Sequence, residues 1–312
     1  QEPELVRKGN YMKRMTAARS ALYVLVSATA LLIPSAAAYS QVAPHLAAQA
    51  PHSAGFNPRS IPWLRQAFHE TATHGSRVRP DTTIGDFSQC PKLPKGSDPS
   101  MFSCFLVHIT GGLLQIGHSS QVINRDITFS YAEGASSSGA TVVIFGSLKA
   151  TPMPVLGGIF LTPAAEPAVR NHPDLQLGVQ PVGLAFKIDP TGNTPGFLSQ
   201  KIRAVNVAFG ASCSIGSKGN PVVMDPTFGT TSPPPPNQPI SGHVDSAQQI
   251  GNEFVIIGTV VDNAFAAPAA KGCGPEGSLS HLVNVVGGLP SAAGKNTAVF
   301  QVTVEVVGYQ FV

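Results

Sequence analysis

The fold is decided by residues 300–306, which read FQVTVEV. Apolar and polar residues alternate strictly, so that Phe300, Val302, Val304 and Val306 lie on one face of an extended chain and the polar residues lie on the other. A helix, with about 3.6 residues per turn, would mix the two kinds on every face. The stretch therefore predicts a β-strand with one face against a core and the other face in water.

The same alternation recurs through the chain after residue 87. Clusters of Gly, Pro, Asn and Asp, which are typical of turns, separate further strand-like runs at residues 105–109, 122–131, 141–147, 182–188, 202–209, 254–261 and 282–286. No stretch shows a capped helical repeat, and the strands do not alternate with helices as they do in parallel sheets. We predict an all-β fold, a single antiparallel β-sandwich of about 11 strands over residues 87–312.

A proline run interrupts this pattern at residues 232–239, which read SPPPPNQP. Four successive prolines remove four backbone donors and favour polyproline II, so this segment cannot be a central strand. We interpret it as a stiff connection between sheets. The alternative is a proline-rich docking motif.

Residues 1–38 are predicted to be an N-terminal extension followed by a secretory signal. Three basic residues, Lys13, Arg14 and Arg19, precede an apolar run at residues 21–33, and small residues follow up to an expected cleavage site after Ala38. As a helix the apolar run would extend about 20 Å, less than the roughly 30 Å of a membrane's hydrocarbon core. We therefore favour a cleaved signal peptide over a membrane anchor.

Residues 39–86 show no sustained periodicity and are rich in Ala, Pro, Ser and His. We predict a mobile leader with a short helix at residues 61–69, which contain the only tryptophan, Trp63. The folded domain is expected to begin at residue 87.

Four cysteines, Cys90, Cys104, Cys213 and Cys273, all follow the predicted signal. An even number in an exported chain predicts two disulfides, for which three pairings exist. We favour the nearest-neighbour pairing, Cys90 with Cys104 and Cys213 with Cys273. A zinc site is disfavoured because zinc ligands usually come in pairs two to four residues apart. The cysteines predict an extracellular or cell-surface location.

The charge distribution argues against nucleic acid as a partner. The chain has 20 basic and 17 acidic residues, and the excess of positive charge lies in residues 1–38. The cations of residues 39–312 are scattered along the sequence. Proteins that bind nucleic acids usually show a basic stripe, because release of counterions from phosphates supplies much of their affinity.

Three motifs resemble sites of known chemistry without completing them. Residues 69–74, HETATH, hold histidines five positions apart, whereas a zinc-binding helix needs four. Residues 272–277, GCGPEG, have the letters of a dinucleotide-binding loop, but no helix is predicted after them, so we interpret them as a turn. Residues 117–121, GHSSQ, lack the last glycine of a nucleophile elbow. We therefore assign no catalytic, cofactor-binding or metal-binding residue.

Seven short phrases support a resemblance, in the order FSQCP (87–91), FSC (102–104), ITGG (109–112), IG (116–117), NAFA (263–266), GCG (272–274) and GLPSAAG (288–294). Together they resemble a group of secreted proteins of high-GC Gram-positive bacteria. The resemblance covers residues 87–312 and implies export and a disulfide-bonded β fold. It implies no reaction and no cysteine pairing.

We therefore predict a non-catalytic secreted or cell-envelope module that binds a partner protein, a glycan or a lipid and needs no cofactor. Two alternatives stay open. A secreted hydrolase would assemble its site from distant strands, with His108, His118 or His281 as the base. A membrane-associated β-barrel is the third interpretation, although 7% aromatic residues provide little material for two interfacial girdles.

Overall fold

The computed structural model describes residues 85–136, 138–187 and 197–312, without the side chains of 184–187 and 197. The predicted extension, signal peptide and leader up to residue 84 lie outside the described residues. So do the predicted short helix at 61–69 and the HETATH motif at 69–74.

The described residues form thirteen strands and two α-helices. The strands are β1 (Phe102–Ile116), β2 (Ser119–Val122), β3 (Ile127–Ala135), β4 (Thr141–Ala150), β5 (Met153–Pro154), β6 (Gly178–Lys187), β7 (Phe197–Val205), β8 (Ser214–Ile215), β9 (Val222–Met224), β10 (His243–Ile250), β11 (Glu253–Asp262), β12 (Ala270–Lys271) and β13 (Thr297–Gly308). The helices are α1 (Glu166–Val169) and α2 (Ser280–Gly287).

Two packed antiparallel sheets confirm the predicted β-sandwich. The larger sheet has seven strands in the order β10-β11-β13-β1-β3-β4, with β2 paired to β1. The smaller sheet has six strands in the order β12-β8-β7-β6-β5, with β9 paired to β7. The strand count exceeds the predicted number because β5, β8 and β12 are two-residue strands, too short to show a period in the sequence.

Strand β13 lies between β11 and β1, at the centre of the larger sheet. Its four alternating apolar residues, Phe300, Val302, Val304 and Val306, are at most 7% exposed and belong to the core between the sheets. Burial of each such side chain contributes about 1.5–3 kcal/mol. The stretch that predicts the fold is therefore its central strand.

The other face of β13 is not in water along its whole length, which corrects the prediction of a wet face. Gln301 is exposed, but Glu305 is only 5% exposed. Residues 85–101 cover this end of the sheet, where the hydroxyl of Ser130 donates a hydrogen bond of 2.6 Å to the carbonyl of Gln89. The segment that precedes β1 thus forms a cover over the outer face.

Turns interrupt two of the predicted strands in the structure. The run at 122–131 is divided between β2 and β3 by a turn at residues 123–126. The run at 202–209 ends early, because Asn206 begins a turn in which its Oδ1 accepts a hydrogen bond of 2.8 Å from the backbone N–H of Ala208. Asparagine commonly forms such turns.

The predicted strand at residues 282–286 is wrong, since these residues lie in helix α2. Leu279, just before the helix, and Val283, one turn later, pack against the Cys213–Cys273 disulfide. The Oδ1 of Asn284 accepts a hydrogen bond of 2.7 Å from the backbone of Ala270. Tertiary contacts therefore fix a helix where three valines favour a strand.

Both disulfides have the predicted nearest-neighbour pairing. Cys90–Cys104 connects the covering segment to β1, and Cys213–Cys273 connects the residue before β8 to the loop after β12. All four cysteines are thus oxidised, and the zinc alternative for them is excluded. Two disulfides are typical of proteins from oxidising compartments.

The proline run at 232–239 contains no strand, as predicted. It lies in the connection from β9, in the smaller sheet, to β10, in the larger one. The Nδ2 of Asn237 ties this connection to the domain by donating hydrogen bonds to the carbonyls of Asn263 and Asn296, at 2.9 and 2.8 Å.

Candidate functional site

An open groove of about 840 Å³ lies at one end of the smaller sheet. Its walls are the start of β6, the end of β7 with the loop at 206–211, helix α1 and the segment around β5. Its volume falls in the range of about 300–1,000 Å³ that is usual for small-molecule sites. We therefore take it as the candidate functional site.

Asn206 holds two walls of the groove together. Its Nδ2 donates hydrogen bonds to the carbonyls of Asp174 and Gln176, at 2.8 and 2.6 Å. Its Oδ1 meanwhile shapes the turn that follows β7. One side chain therefore joins the loop after β7 to the segment that leads into β6.

The wall that contains helix α1 is fixed by two further hydrogen bonds. The Oε2 of Glu166 accepts one of 2.8 Å from the backbone N–H of Gly157. The Nε2 of Gln176 donates one of 3.0 Å to the carbonyl of Arg170, which follows the helix. These contacts set the place of Arg170 on the groove wall.

Three arginines, Arg125, Arg170 and Arg203, line the groove. They are the only arginines of the chain after residue 79, and none of the described lysines lines the groove. Within the described ranges, no carboxylate lies within 4.0 Å of any of the three. Glu166 is the one acidic residue on the described walls, so the lining has a net charge of +2.

Arg203 is held in place from inside the sheet. Its Nη2 donates a hydrogen bond to the Oε1 of Gln180 on the neighbouring strand β6. The Nε2 of Gln180 in turn donates one of 2.6 Å to the carbonyl of Ala150. The Nε of Arg203 is buried and has no partner among the residues described. The guanidinium is therefore positioned before any ligand arrives.

The rest of the lining is mostly apolar. Val155, Val169, Leu177 and Val205 contribute aliphatic surface, and Val207 at the mouth is 75% exposed. None of the described lining residues is aromatic. The groove thus combines a cationic part with an aliphatic part.

The residues that the sequence singled out lie elsewhere. None of the four cysteines lines the groove, and none of the candidate bases does. His118 Nδ1 lies 3.0 Å from the carbonyl oxygen of Val286, and His108 Nδ1 lies 3.5 Å from the hydroxyl of Thr128. Among the described residues, no histidine shares a hydrogen bond with a serine hydroxyl.

The two glycine motifs form turns. In GHSSQ at 117–121, Gly117 and His118 form the tight turn between β1 and β2 and the other three residues begin β2, so the motif is not a strand-to-helix elbow. In GCGPEG, Gly272, Gly274 and Gly277 all have positive φ, and Cys273 is in a disulfide. The prediction that no helix follows this motif is wrong, because α2 begins at Ser280. Its turn character is confirmed.

Two buried carboxyl groups lie outside the groove. Burial raises the pKa of Glu133 and of Glu305 to about 7, and the charge of Glu253 adds to the effect at Glu305. The Oε2 atoms of both side chains are buried and have no partner among the described residues. These acids lie at the larger sheet and favour their protonated forms, so we assign them a structural role.

The Glu305→Gln variant should be more stable than the wild type at pH 8. A carboxyl group with a pKa raised from 4.5 to about 7 binds its proton more tightly in the folded state. Its stabilising contribution is therefore complete below pH 4.5 and is lost as the pH rises to about 7. Over that window the free energy of unfolding should fall by about 1.4 kcal/mol per pH unit for each such group. Urea unfolding of both proteins between pH 4 and 8 measures this slope.

In Glu305→Gln, the free energy of unfolding should fall less steeply with pH than in the wild type. The remaining slope should come from Glu133, which is unchanged. The matched control is Glu276→Gln, which removes the same charge at an exposed position and should keep the slope that belongs to Glu305. Identical pH profiles for Glu305→Gln and wild type would contradict the assigned titration.

The groove arginines are the candidate residues that sequence analysis missed. Their positions, 125, 170 and 203, are far apart, so in the sequence they form part of a scattered set of cations. One compositional feature could have indicated them: after residue 79 the chain has only three arginines, while its other cations are lysines.

Comparison with protein-family models, with curated proteins and with solved structures finds no match to this chain. The resemblance to secreted proteins of high-GC Gram-positive bacteria therefore stays a prediction. Among the described residues, no helix is long and apolar enough to cross a membrane, and no cluster of three or more His, Cys, Asp or Glu side chains could hold a metal ion.

Proposed function

We propose that this protein is a secreted or cell-envelope module that binds a small amphiphilic molecule, such as a lipid, without transforming it. The groove of about 840 Å³, with a cationic part and an aliphatic part, is the observation that carries the proposal. Export is supported by the two disulfides.

The shape and lining of the groove favour a lipid-like ligand over the other predicted partners. A glycan site usually offers aromatic faces for stacking, and the part of the lining that the structure describes contains none. A protein partner usually binds a flatter surface with a well-packed apolar centre. Concave sites with mostly apolar walls and a few polar groups are typical of small-molecule binding.

Amphiphile binding should protect the groove backbone from hydrogen exchange. We expect dodecyl phosphate or dodecyl maltoside, below the concentration at which each forms micelles, to slow exchange at residues 204–211 of the full chain. A soluble peptidoglycan fragment should not. Replacing Ala211, an exposed lining residue, with tryptophan should abolish the protection, because the indole would occupy the groove.

The matched control is Val122→Trp, which adds a tryptophan at an exposed position of the larger sheet outside the groove. It should bind as the wild type does. Protection by neither amphiphile, or protection that survives Ala211→Trp, would overturn the proposed function.

A further inference from the structure

The groove differs from the rest of the described surface in the type of its cationic residues. All three arginines of the described residues line it, whereas the described lysines lie elsewhere. The two side chains have the same charge but differ in geometry. Arginine presents a planar fork of donors that matches phosphate and carboxylate oxygens in pairs, while lysine is a compact point charge.

The arginines are also short of anionic partners. Glu166 is engaged by the backbone of Gly157. Asp126 and Asp174 lie near groove residues in sequence, yet neither lines the groove. A net charge of +2 on one small concave surface thus has no counter-charge on the described walls. A phosphate monoester, which has a charge of about −1.5 to −2 at neutral pH and three strong acceptor oxygens, matches it.

We propose that the ligand of the groove is an amphiphile with a phosphate head, and that Arg125, Arg170 and Arg203 hold the phosphate while the aliphatic wall receives the hydrocarbon chain. This inference rests on the proposed function and names the ligand class of the same site. Arg203 is the anchor, because Gln180 fixes its guanidinium. A positioned donor loses less conformational entropy on binding.

The aliphatic wall favours a ligand that has a hydrocarbon chain in addition to its phosphate group. Val155, Val169 and Leu177 border the arginines in the same groove. Each CH₂ group that a ligand buries there should tighten binding about fourfold. A hydrocarbon chain attached to the phosphate should therefore bind more tightly than inorganic phosphate does.

Isothermal titration calorimetry of the full disulfide-bonded chain tests the inference with four probes below their micelle concentrations. Dodecyl phosphate supplies both parts of the ligand, inorganic phosphate only the head, dodecyl maltoside only the chain, and dodecanoate a carboxylate head on the same type of chain. We expect dodecyl phosphate to bind at least about tenfold more tightly than each of the others, with an affinity that falls as salt is added.

Variants assign the effect to the arginines. Arg203→Gln and Arg170→Gln should each weaken dodecyl phosphate about tenfold or more, the effect of losing one charge-assisted hydrogen bond. Arg203→Lys keeps the charge but loses the planar fork, so it should restore only part of the affinity. Lys201→Gln removes the same charge from the same strand outside the groove and should bind as the wild type does. Thermal unfolding of each variant checks that the fold is retained.

Each other result has a definite meaning. If dodecyl maltoside binds as tightly as dodecyl phosphate and protects the groove from hydrogen exchange, the proposed phosphate head is wrong, but the proposed binding of an amphiphile stands. Equal binding of inorganic phosphate overturns the role of the chain, and equal binding of dodecanoate overturns the preference for phosphate. Unchanged affinity in both arginine-to-glutamine variants overturns the assigned residues. Protection by neither amphiphile removes the proposed function itself.

Discussion

Replacing Asn296 with leucine is expected to lower the free energy of unfolding by about 4 kcal/mol. The Asn296 side chain is completely buried. Its Oδ1 accepts a hydrogen bond of 3.0 Å from the backbone N–H of Gly117, and its Nδ2 donates to the carbonyls of Phe265 and Ala292 at 2.8 and 3.0 Å. Leucine would leave three backbone groups without these partners, the buried carbonyl of Phe265 and the partly buried groups of Gly117 and Ala292, each at a cost of about 1–3 kcal/mol. Urea unfolding with intact disulfides measures the loss.

Asn220→Leu is the matched control. Asn220 is exposed, so the same substitution there should change the stability by less than about 0.5 kcal/mol. A loss below about 1 kcal/mol at Asn296 would show that water or a rearranged backbone satisfies these groups, and that the side chain is not the link between the β1–β2 turn and the loop after α2.

The central strands could be predicted because a sheet with one buried face imposes its own period on the sequence. In β13 the alternate residues from Ala298 to Val306 enter the core, and in β11 Phe254, Ile256 and Val260 do so. The disulfides could be predicted because each cysteine pairs with the next cysteine along the chain, Cys90 with Cys104 and Cys213 with Cys273.

Helix α2 could not be predicted in the same way, because its sequence is apolar on both faces. Val283 faces the disulfide, but Leu282, Val285 and Val286 are 56%, 61% and 38% exposed. A helix with apolar residues all round shows no 3.6-residue period. The contacts that fix it, to Cys213–Cys273 and to Ala270, are distant in sequence and become visible only in the fold.

The burial of Asn296 and Glu305 could not be predicted from the sequence for a related reason. Asn296 follows Gly294-Lys295, where the sequence indicates only a turn, and Glu305 occupies an outward position of β13. Their burial depends on segments that return from elsewhere in the chain. The sequence pattern gives the side of the sheet on which a residue lies, but it does not give what covers that side.

The groove arginines come together for a topological reason. Arg203 is on β7 of the smaller sheet, Arg170 follows α1 in the excursion between β5 and β6, and Arg125 lies in the turn between β2 and β3. Segments from both sheets therefore line the same groove. Because these segments are distant in sequence, the spacing of the arginines along the chain does not predict that they line one groove. Loops at the end of a rigid scaffold are a common place for binding residues.

The Cys213–Cys273 disulfide links the stability of the domain to the groove. Ala211, at the end of the groove loop, lies two residues before Cys213. The neighbouring backbone is held to the loop of Cys273 as well, since the N–H of Gly274 donates a hydrogen bond of 2.8 Å to the carbonyl of Phe209. The disulfide therefore anchors the wall that Asn206 holds from its other end.

Replacing Cys213 and Cys273 together with alanine is expected to destabilise the protein by about 4 kcal/mol, while replacing Cys90 and Cys104 should cost about 3 kcal/mol. The physical reason is the length of chain that each bond closes in the unfolded state, 60 residues against 14. Urea unfolding of the two double variants measures the order of the losses.

The first double variant should also increase hydrogen exchange at residues 206–211 and weaken amphiphile binding, because the groove loop then loses one of its two anchors. The second double variant is the control for the groove, since its disulfide connects the covering segment to β1 at the larger sheet. Equal weakening of binding in both variants would indicate a general loss of structure. Weakening in the first variant alone, at a temperature where both proteins are folded, would show that this disulfide preorganises the groove.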